Sequence, residues 1–162
     1  MLLSLTGKFE AFTGKFESPQ LATLRGISLF SQIATGELRA IRGLLHRRTY
    51  LKDEIIFDEG EKGQAIYFIL QGKVLICRQG RPVDGVIAEL GAGQCFGEMA
   101  LLDNSPRMAQ VRATENATLD VLFREDFLGL IQTHSHIASK LSLELARMMA
   151  ERLRQTVNSY VL

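Results

Sequence analysis

From Arg47 to Phe123 short β-rich runs alternate with turn signals, and this alternation limits what the chain can fold into. The runs are 54–57, 65–70, 73–78, 85–90, 109–113 and 117–123. Turn residues divide them at 60–63, 71–72, 79–85, 91–93 and 104–106. Glycine, proline and asparagine punctuate the backbone at these points. Several short strands at such spacing predict a sandwich or barrel. In the last run Leu119, Val121 and Phe123 alternate with Thr118 and Asp120. A period of two with polar alternates predicts a strand with one wet face.

Helical patterns flank this region. Residues 21–46 read as helix, interrupted at Gly26, Gly36 and Gly43. Leu38, Ile41, Leu44 and Leu45 make the clearest apolar face there. Thr35 is the predicted N-cap of the piece that starts near Glu37. A helix restarts over 124–130, and a longer one runs from about Ile137 to Asn158. The long helix carries two apolar seams. Leu143, Ala146, Ala150, Leu153 and Val157 hold a 3-4-3-4 spacing, and Ala138, Leu141, Leu145 and Met148 form the other seam. Glu144, Arg147, Glu151 and Arg154 line the remaining face. A helix with two apolar seams must cover two things.

Residues 1–20 form an amphipathic extension. Thr6-Gly7-Lys8-Phe9-Glu10 repeats as Thr13-Gly14-Lys15-Phe16-Glu17. Leu2, Leu5, Phe9, Phe12 and Phe16 fall on one helix face. Gly7 and Gly14 weaken that helix by about 1 kcal/mol each, so it needs a surface to lie on. Its own domain or a second copy suits it better than a membrane. Ser18-Pro19 ends the segment.

Composition excludes several classes. A chain of 162 residues is one domain, able to bury about two-thirds of its unfolded surface. A net charge of +1 offers no global attraction to nucleic acid or anionic lipid. Cys77 and Cys95 do not make a disulfide framework. No apolar run reaches the roughly 18 residues of a membrane span, and Lys8 and Glu10 interrupt any signal-peptide core. The expectation is a reducing cytoplasm. His46, His134 and His136 are too few and badly placed for a metal site, so a cupin-type barrel enzyme is disfavoured. No serine or cysteine sits in a recognisable nucleophile context. The sequence therefore predicts no enzyme, no catalytic residue and no metal. Only a short tail follows the long helix, too little for a helix-turn-helix, so direct DNA binding is not expected.

The chemistry concentrates in Phe96-Gly97-Glu98-Met99-Ala100-Leu101-Leu102, Asp103-Asn104-Ser105 and Pro106-Arg107-Met108-Ala109. Gly97 opens a short helical segment whose free backbone N–H groups suit an anion. The guanidinium of Arg107 can add bidentate contacts to the same anion. Glu98 cannot serve a phosphate; a carboxylate accepts hydrogen bonds, and its natural ligand partner is a hydroxyl. One phosphate and one hydroxyl held by one loop point to a nucleotide bearing both on its ribose.

This stretch resembles the phosphate-binding cassette of the cyclic nucleotide-binding domain family, on Gly97, Glu98, Ala100, Leu101, Arg107 and Ala109. Gly60-Glu61-Lys62-Gly63, the run from Tyr67 to Val74, and Ala88-Glu89-Leu90-Gly91-Ala92-Gly93 extend the resemblance, which spans about Leu24 to Arg154. It implies an α+β fold: an antiparallel, jelly-roll-like β-roll of about eight strands, flanked by N-terminal helices and a C-terminal helical lid. Residues 21–162 would then be one domain, with helices at 21–46, the roll at 47–123 and C-terminal helices at 124–160. The implied function is a sensor that binds a cyclic nucleotide and switches the position of the C-terminal helix. A ligand-free scaffold or dimerisation module of the same fold is the alternative. The implied partners are the nucleotide, a second subunit paired through the long helix, and an effector that the sequence does not identify. No cofactor is implied.

By resemblance the site comprises Cys95, Phe96, Gly97, Glu98, Met99, Ala100, Arg107, Met108 and Ala109. Arg107 would pair with the cyclic phosphate and Glu98 with the ribose 2′-hydroxyl. Backbone N–H groups near Gly97, Ala100 and Ala109 would complete the anion pocket. Without ligand, Glu98 and Arg107 are expected to satisfy each other. Cys95 could line the base or sugar pocket, but a small buried hydrophobe is the preferred reading. Met108 departs from the family's small or hydroxyl residue. It has no hydroxyl for a guanine, which favours cAMP over cGMP, and its bulk could crowd the pocket.

Overall fold

The structure, a computed structural model, describes residues 18–160; the repeat spanning Leu2 to Phe16 lies outside the described residues. Ser18 caps the first helix, α1 (Pro19–Arg25), its Oγ accepting from the Leu21 N–H at 3.4 Å, with Pro19 at the first helical position. A 3-10 turn (Ser28–Phe30) and α2 (Thr35–Arg42) follow. Thr35 is not the N-cap; it is the first helical residue after Ala34. Glu37 serves the cap instead, its carboxylate accepting from the Ala34 N–H at 2.9 Å. The Thr35 hydroxyl is turned to Arg25 Nη2, at 2.8 Å.

The strands are β1 (Leu45–Tyr50), β2 (Ile55–Phe57), β3 (Ala65–Gln71), β4 (Lys73–Arg78), β5 (Arg81–Gly91), β6 (Cys95–Phe96), β7 (Gln110–Ala113) and β8 (Ala117–Phe123). Between β6 and β7 lies α3 (Glu98–Asp103); α4 (Arg124–Thr133) and α5 (Ser135–Tyr160) complete the described residues. The strands form two four-stranded antiparallel sheets, ordered β1-β8-β3-β6 and β2-β7-β4-β5. Among the described residues no helix is long and apolar enough to cross a membrane.

Alternation along β3 shows how one sheet serves two cores. Ile66 and Phe68 face the helices, where they pack with Leu24, Phe30, Leu38 and Phe127. Ile69, with Tyr67 beside it, faces the space between the sheets, with Phe57, Val74, Phe96 and Leu119. The helical layer therefore lies on one face of the β1-β8-β3-β6 sheet.

Three sequence expectations change here. The helix read through His46 ends at Arg42, and the segment from Leu45 is a strand paired with β8 from Leu45↔Leu122 to Tyr50↔Ala117. Leu44 and Leu45 continue an apolar pattern, but Gly43 caps α2 with its N–H on the Arg39 carbonyl at 3.2 Å. The two-residue β6 was too short for its pattern to register. Finally, β8 has no wet face. It lies between β1 and β3 with a core on either side, and Asp120 is only 4% exposed. Arg47, across the ladder on β1, makes that burial tolerable with Nε at 3.0 Å and Nη2 at 3.1 Å from the carboxylate. The pair lowers the cost of a buried charge, and the Asp120 carboxylate draws the Arg47 pKa up.

On α5 the two seams part as the spacing suggests. Ala138, Leu141 and Leu145 are buried and Met148 packs against the same core. Leu143, Leu153 and Val157 are each more than half exposed, at 52%, 64% and 51%.

Candidate functional site

The site begins with a glycine that only a glycine can replace. Gly97 precedes α3 with φ of 80°. A Cβ there would stand 2.7 Å from Arg107 Nη1 and 3.0 Å from the Ala65 carbonyl oxygen. The missing side chain thus leaves room for the guanidinium. Because α3 has only six residues, the positive character at its start comes from Arg107 and individual amide groups more than from a long helix dipole.

Arg107 is 7% exposed. Its Nη1 donates to the Gly97 carbonyl at 3.2 Å and its Nη2 to the Ala65 carbonyl at 3.1 Å. The guanidinium lies 4.0 Å over the Phe57 ring and 5.6 Å from that of Tyr67. Tyr67 in turn stacks on Phe96, with centroids 5.1 Å apart and planes at 4°. Burial draws the Arg107 pKa down, against the opposing pull of Tyr67, Glu61 and Glu98; it remains a cation at physiological pH. These aromatics build a rigid floor that holds the charged fork in one place.

The loop carrying Arg107 is strapped to the 60–63 turn. Gly60 N–H donates to the Arg107 carbonyl and Arg107 N–H to the Glu61 carbonyl, both at 2.8 Å. Lys62 and Pro106 form an isolated bridge. Gly63 packs against α3 so closely that a Cβ there would meet the Ala100 Cβ at 2.1 Å. The two glycine motifs are therefore one structural unit.

Glu98, 8% exposed, does not pair with Arg107, contrary to the sequence expectation for the ligand-free state. Its Oε1 accepts from Arg152 Nη1 of α5 at 2.7 Å, while Arg152 Nη2 donates to the Cys95 carbonyl at 2.6 Å. Arg107 is turned instead onto carbonyls and rings, which leaves the carboxylate to the helix. Arg152 was missed in the sequence although a signal existed. It continues the inward seam Ala138, Leu141, Leu145, Met148 at the same 3-4-3-4 spacing. A cation at the next buried position of such a seam points to a carboxylate beneath it.

The remaining candidates divide. Phe96, Gly97, Glu98, Ala100, Arg107 and Ala109 are brought together, with Ala100 and Ala109 buried. Met99 is 39% exposed and Met108 63% exposed; Arg78 Nη1 holds the Met108 carbonyl at 3.3 Å. Cys95 lies on the other face of β6 from Phe96, in the core beneath the helices, with its Sγ 3.4 Å from Met148 Sδ. It does not share the face of Arg107's aromatic floor. Burial pushes its thiol up to about 12.

A family profile for the cyclic nucleotide-binding domain matches residues 47–134. The cyclic AMP receptor protein of Thermus thermophilus is 38% identical over 131 residues, covering 79% of this chain and 60% of that protein. The crystal structure of the Thermus thermophilus catabolite activator protein superposes with a TM-score of 0.72 at 36% identity, covering 82% of this chain and 61% of the other. A cyclic nucleotide-binding domain from Methylobacillus flagellatus superposes with a TM-score of 0.75 at 25% identity, covering 87% and 80%. The chain thus spans less than two-thirds of the length of the first two.

Proposed function

The chain belongs to the cyclic nucleotide-binding domain family, and we propose that it is a sensor whose ligand is cAMP and whose output is the position of α5. One observation carries this reading: the cassette carboxylate Glu98 is held by Arg152 of the C-terminal helix, while the cassette arginine is buried separately beside it. Site and lid share one charged group.

Arg107 has five N–H donors in a fixed fork, and its two contacts on carbonyls leave others for the cyclic phosphate. Glu98 is the acceptor for the ribose 2′-hydroxyl. A carboxylate offers roughly four acceptor directions, so the hydroxyl either joins Arg152 or displaces it. A ligand shifts the helix only through different affinity for its two positions, and competition for Glu98 supplies that difference. Met108 presents no hydroxyl for guanine, which favours adenine. The exposed Leu143–Leu153–Val157 seam supports pairing of two subunits through α5. The name and similarity of the Thermus relative support the choice of cAMP.

Calorimetry of the full chain with cAMP, cGMP and 2′-deoxy-cAMP tests the reading. cAMP should bind most tightly, and the 2′-deoxy analogue should lose affinity because a buried acceptor is left unpaired. Equal affinities for cAMP and its 2′-deoxy analogue would remove Glu98 from the ribose. No binding of any nucleotide would leave the ligand-free scaffold, in which the Arg152–Glu98 pair is a permanent tie.

A further inference from the structure

Arg107 is held by acceptors from two different strands. The Ala65 carbonyl belongs to β3, and the Gly97 carbonyl directly follows β6. The direction of the guanidinium therefore depends on how β6 sits against β3. β6 has only two residues, paired with β3 as Tyr67↔Phe96 and Phe68↔Cys95. The first of these pairs is also the ring stack beside the arginine, with planes at 4°. Tyr67 lies two residues after Ala65, and Phe96 immediately precedes Gly97. One side-chain contact thus joins the two segments that supply both acceptors.

Phe57 completes the cluster, its ring centroid 5.6 Å from that of Tyr67 and 5.8 Å from that of Phe96. Phe57 and Phe96 are buried, whereas Tyr67 is only partly buried. Tyr67 is therefore the floor ring at the boundary of the core, and it stands within cation–π reach of Arg107.

We infer that Tyr67 is a positioning residue for the nucleotide phosphate: by stacking on Phe96 it fixes β6 against β3 and so sets the direction in which the Arg107 fork meets its anion. It acts through Arg107 rather than on the ligand, and the inference rests on the assignment of Arg107 to the phosphate. A mobile arginine gives up rotamer freedom when it grips an anion. Arg107 is already fixed by its contacts in the folded chain, so binding does not bear that cost. Bidentate contact to a phosphate needs such alignment, because the fork is planar and rigid. An aliphatic side chain at position 67 would fill space between the sheets. It would give Phe96 no flat partner and the guanidinium no π face. The fork could then tilt while the Ala65 and Gly97 carbonyls remained.

Calorimetry of the full chain with cAMP, run as a double-mutant cycle, tests this role. Tyr67→Leu should weaken binding about tenfold, and Tyr67→Phe, which keeps the ring, by less than about threefold. In the Arg107→Lys background there is no fork to align, and Tyr67→Leu should cost less than about twofold there. Its cost in denaturant midpoint should persist in that background, which separates positioning from loss of packing. Equal affinity losses from Tyr67→Leu in the two backgrounds would overturn the proposal. So would a loss in Tyr67→Phe as large as that in Tyr67→Leu. A second readout needs no nucleotide. A fixed fork rotates slowly about its Cζ–N bonds, so the Arg107 Nη protons should give resolved NMR signals in the wild type and in Tyr67→Phe, and an averaged signal in Tyr67→Leu. An averaged signal in the wild type would overturn the proposal even if Tyr67→Leu does not fold. Resolved signals that average in Tyr67→Leu, in a protein that binds no nucleotide, would count against the sensor reading while supporting the placement of the fork by Tyr67.

Discussion

Arg152 and Glu98 are 54 positions apart in the chain and 2.7 Å apart in the fold. This contact joins the end of the inward seam of α5 to the first residue of α3. Arg152 also holds the Cys95 carbonyl, so it fixes both sides of the β6–α3 corner. Removing Arg152 should separate binding from response. Arg152→Gln should retain cAMP binding, because the ligand's own contacts remain, and should lose the cAMP-dependent change in hydrogen exchange along the end of α5. Unchanged exchange behaviour in this variant would show that Arg152 does not connect site and helix.

Arg107→Ala should weaken cAMP binding by roughly 2–5 kcal/mol, the range for truncating one partner of a buried, hydrogen-bonded charge pair. The guanidinium also bridges the Gly97 and Ala65 carbonyls, so the variant should unfold at lower denaturant as well. Arg107→Lys separates the two effects. It keeps the charge, loses the fork, and should still bind measurably. Full cAMP affinity in the alanine variant would remove Arg107 from the phosphate.

The outer seam of α5 should pair two chains. Leu153 is 64% exposed and Val157 51%, and Ala146 and Ala150 between Leu143 and Leu153 permit close approach of a second helix. Sedimentation of the full chain at tens of micromolar should report a dimer, and Leu153→Glu should shift it to monomer by placing like charges in a dry seam. A wild-type monomer, with and without cAMP, would refute the pairing.

Cys95 should make stability fall in alkali. Burial first, and Glu98 beside it, push the thiol from 9.0 to about 12, with Arg152 pulling the other way. Above pH 9 the unfolded chain sheds a proton that the folded chain retains, so stability is present below about 9 and declines as pH rises toward 12. Denaturant midpoints at pH 7.5 and pH 10 measure the decline, and Cys95→Ala should reduce it. The cost of the cavity in that variant is common to both pH values and cancels. An identical decline in both proteins would mean that the thiol ionises freely in the native state.

The sequence by itself determined the elements whose evidence is local. Turn residues at 60–63, 71–72 and 91–93 set the strand boundaries, because backbone conformations such as φ of 85° at Gly60 and Gly72 select the residue type directly. The resemblance to the family's cassette was legible for a related reason, since Gly97, Glu98 and Arg107 lie close together in the sequence. The two seams of α5 were legible from helical period alone. Only the tertiary structure decided what nonlocal pairing controls. Leu45–Tyr50 is a strand because β8 offers it a ladder. Asp120 is buried because Arg47 meets it across that ladder. Cys95 and Phe96 separate because β6 has a core on each side. Glu98 turns to Arg152 because α5 brings a second arginine to it, while Arg107 finds carbonyls and aromatic rings. Local chemistry writes conformation into residue type; the partner of a buried charge depends on which distant segment the fold delivers.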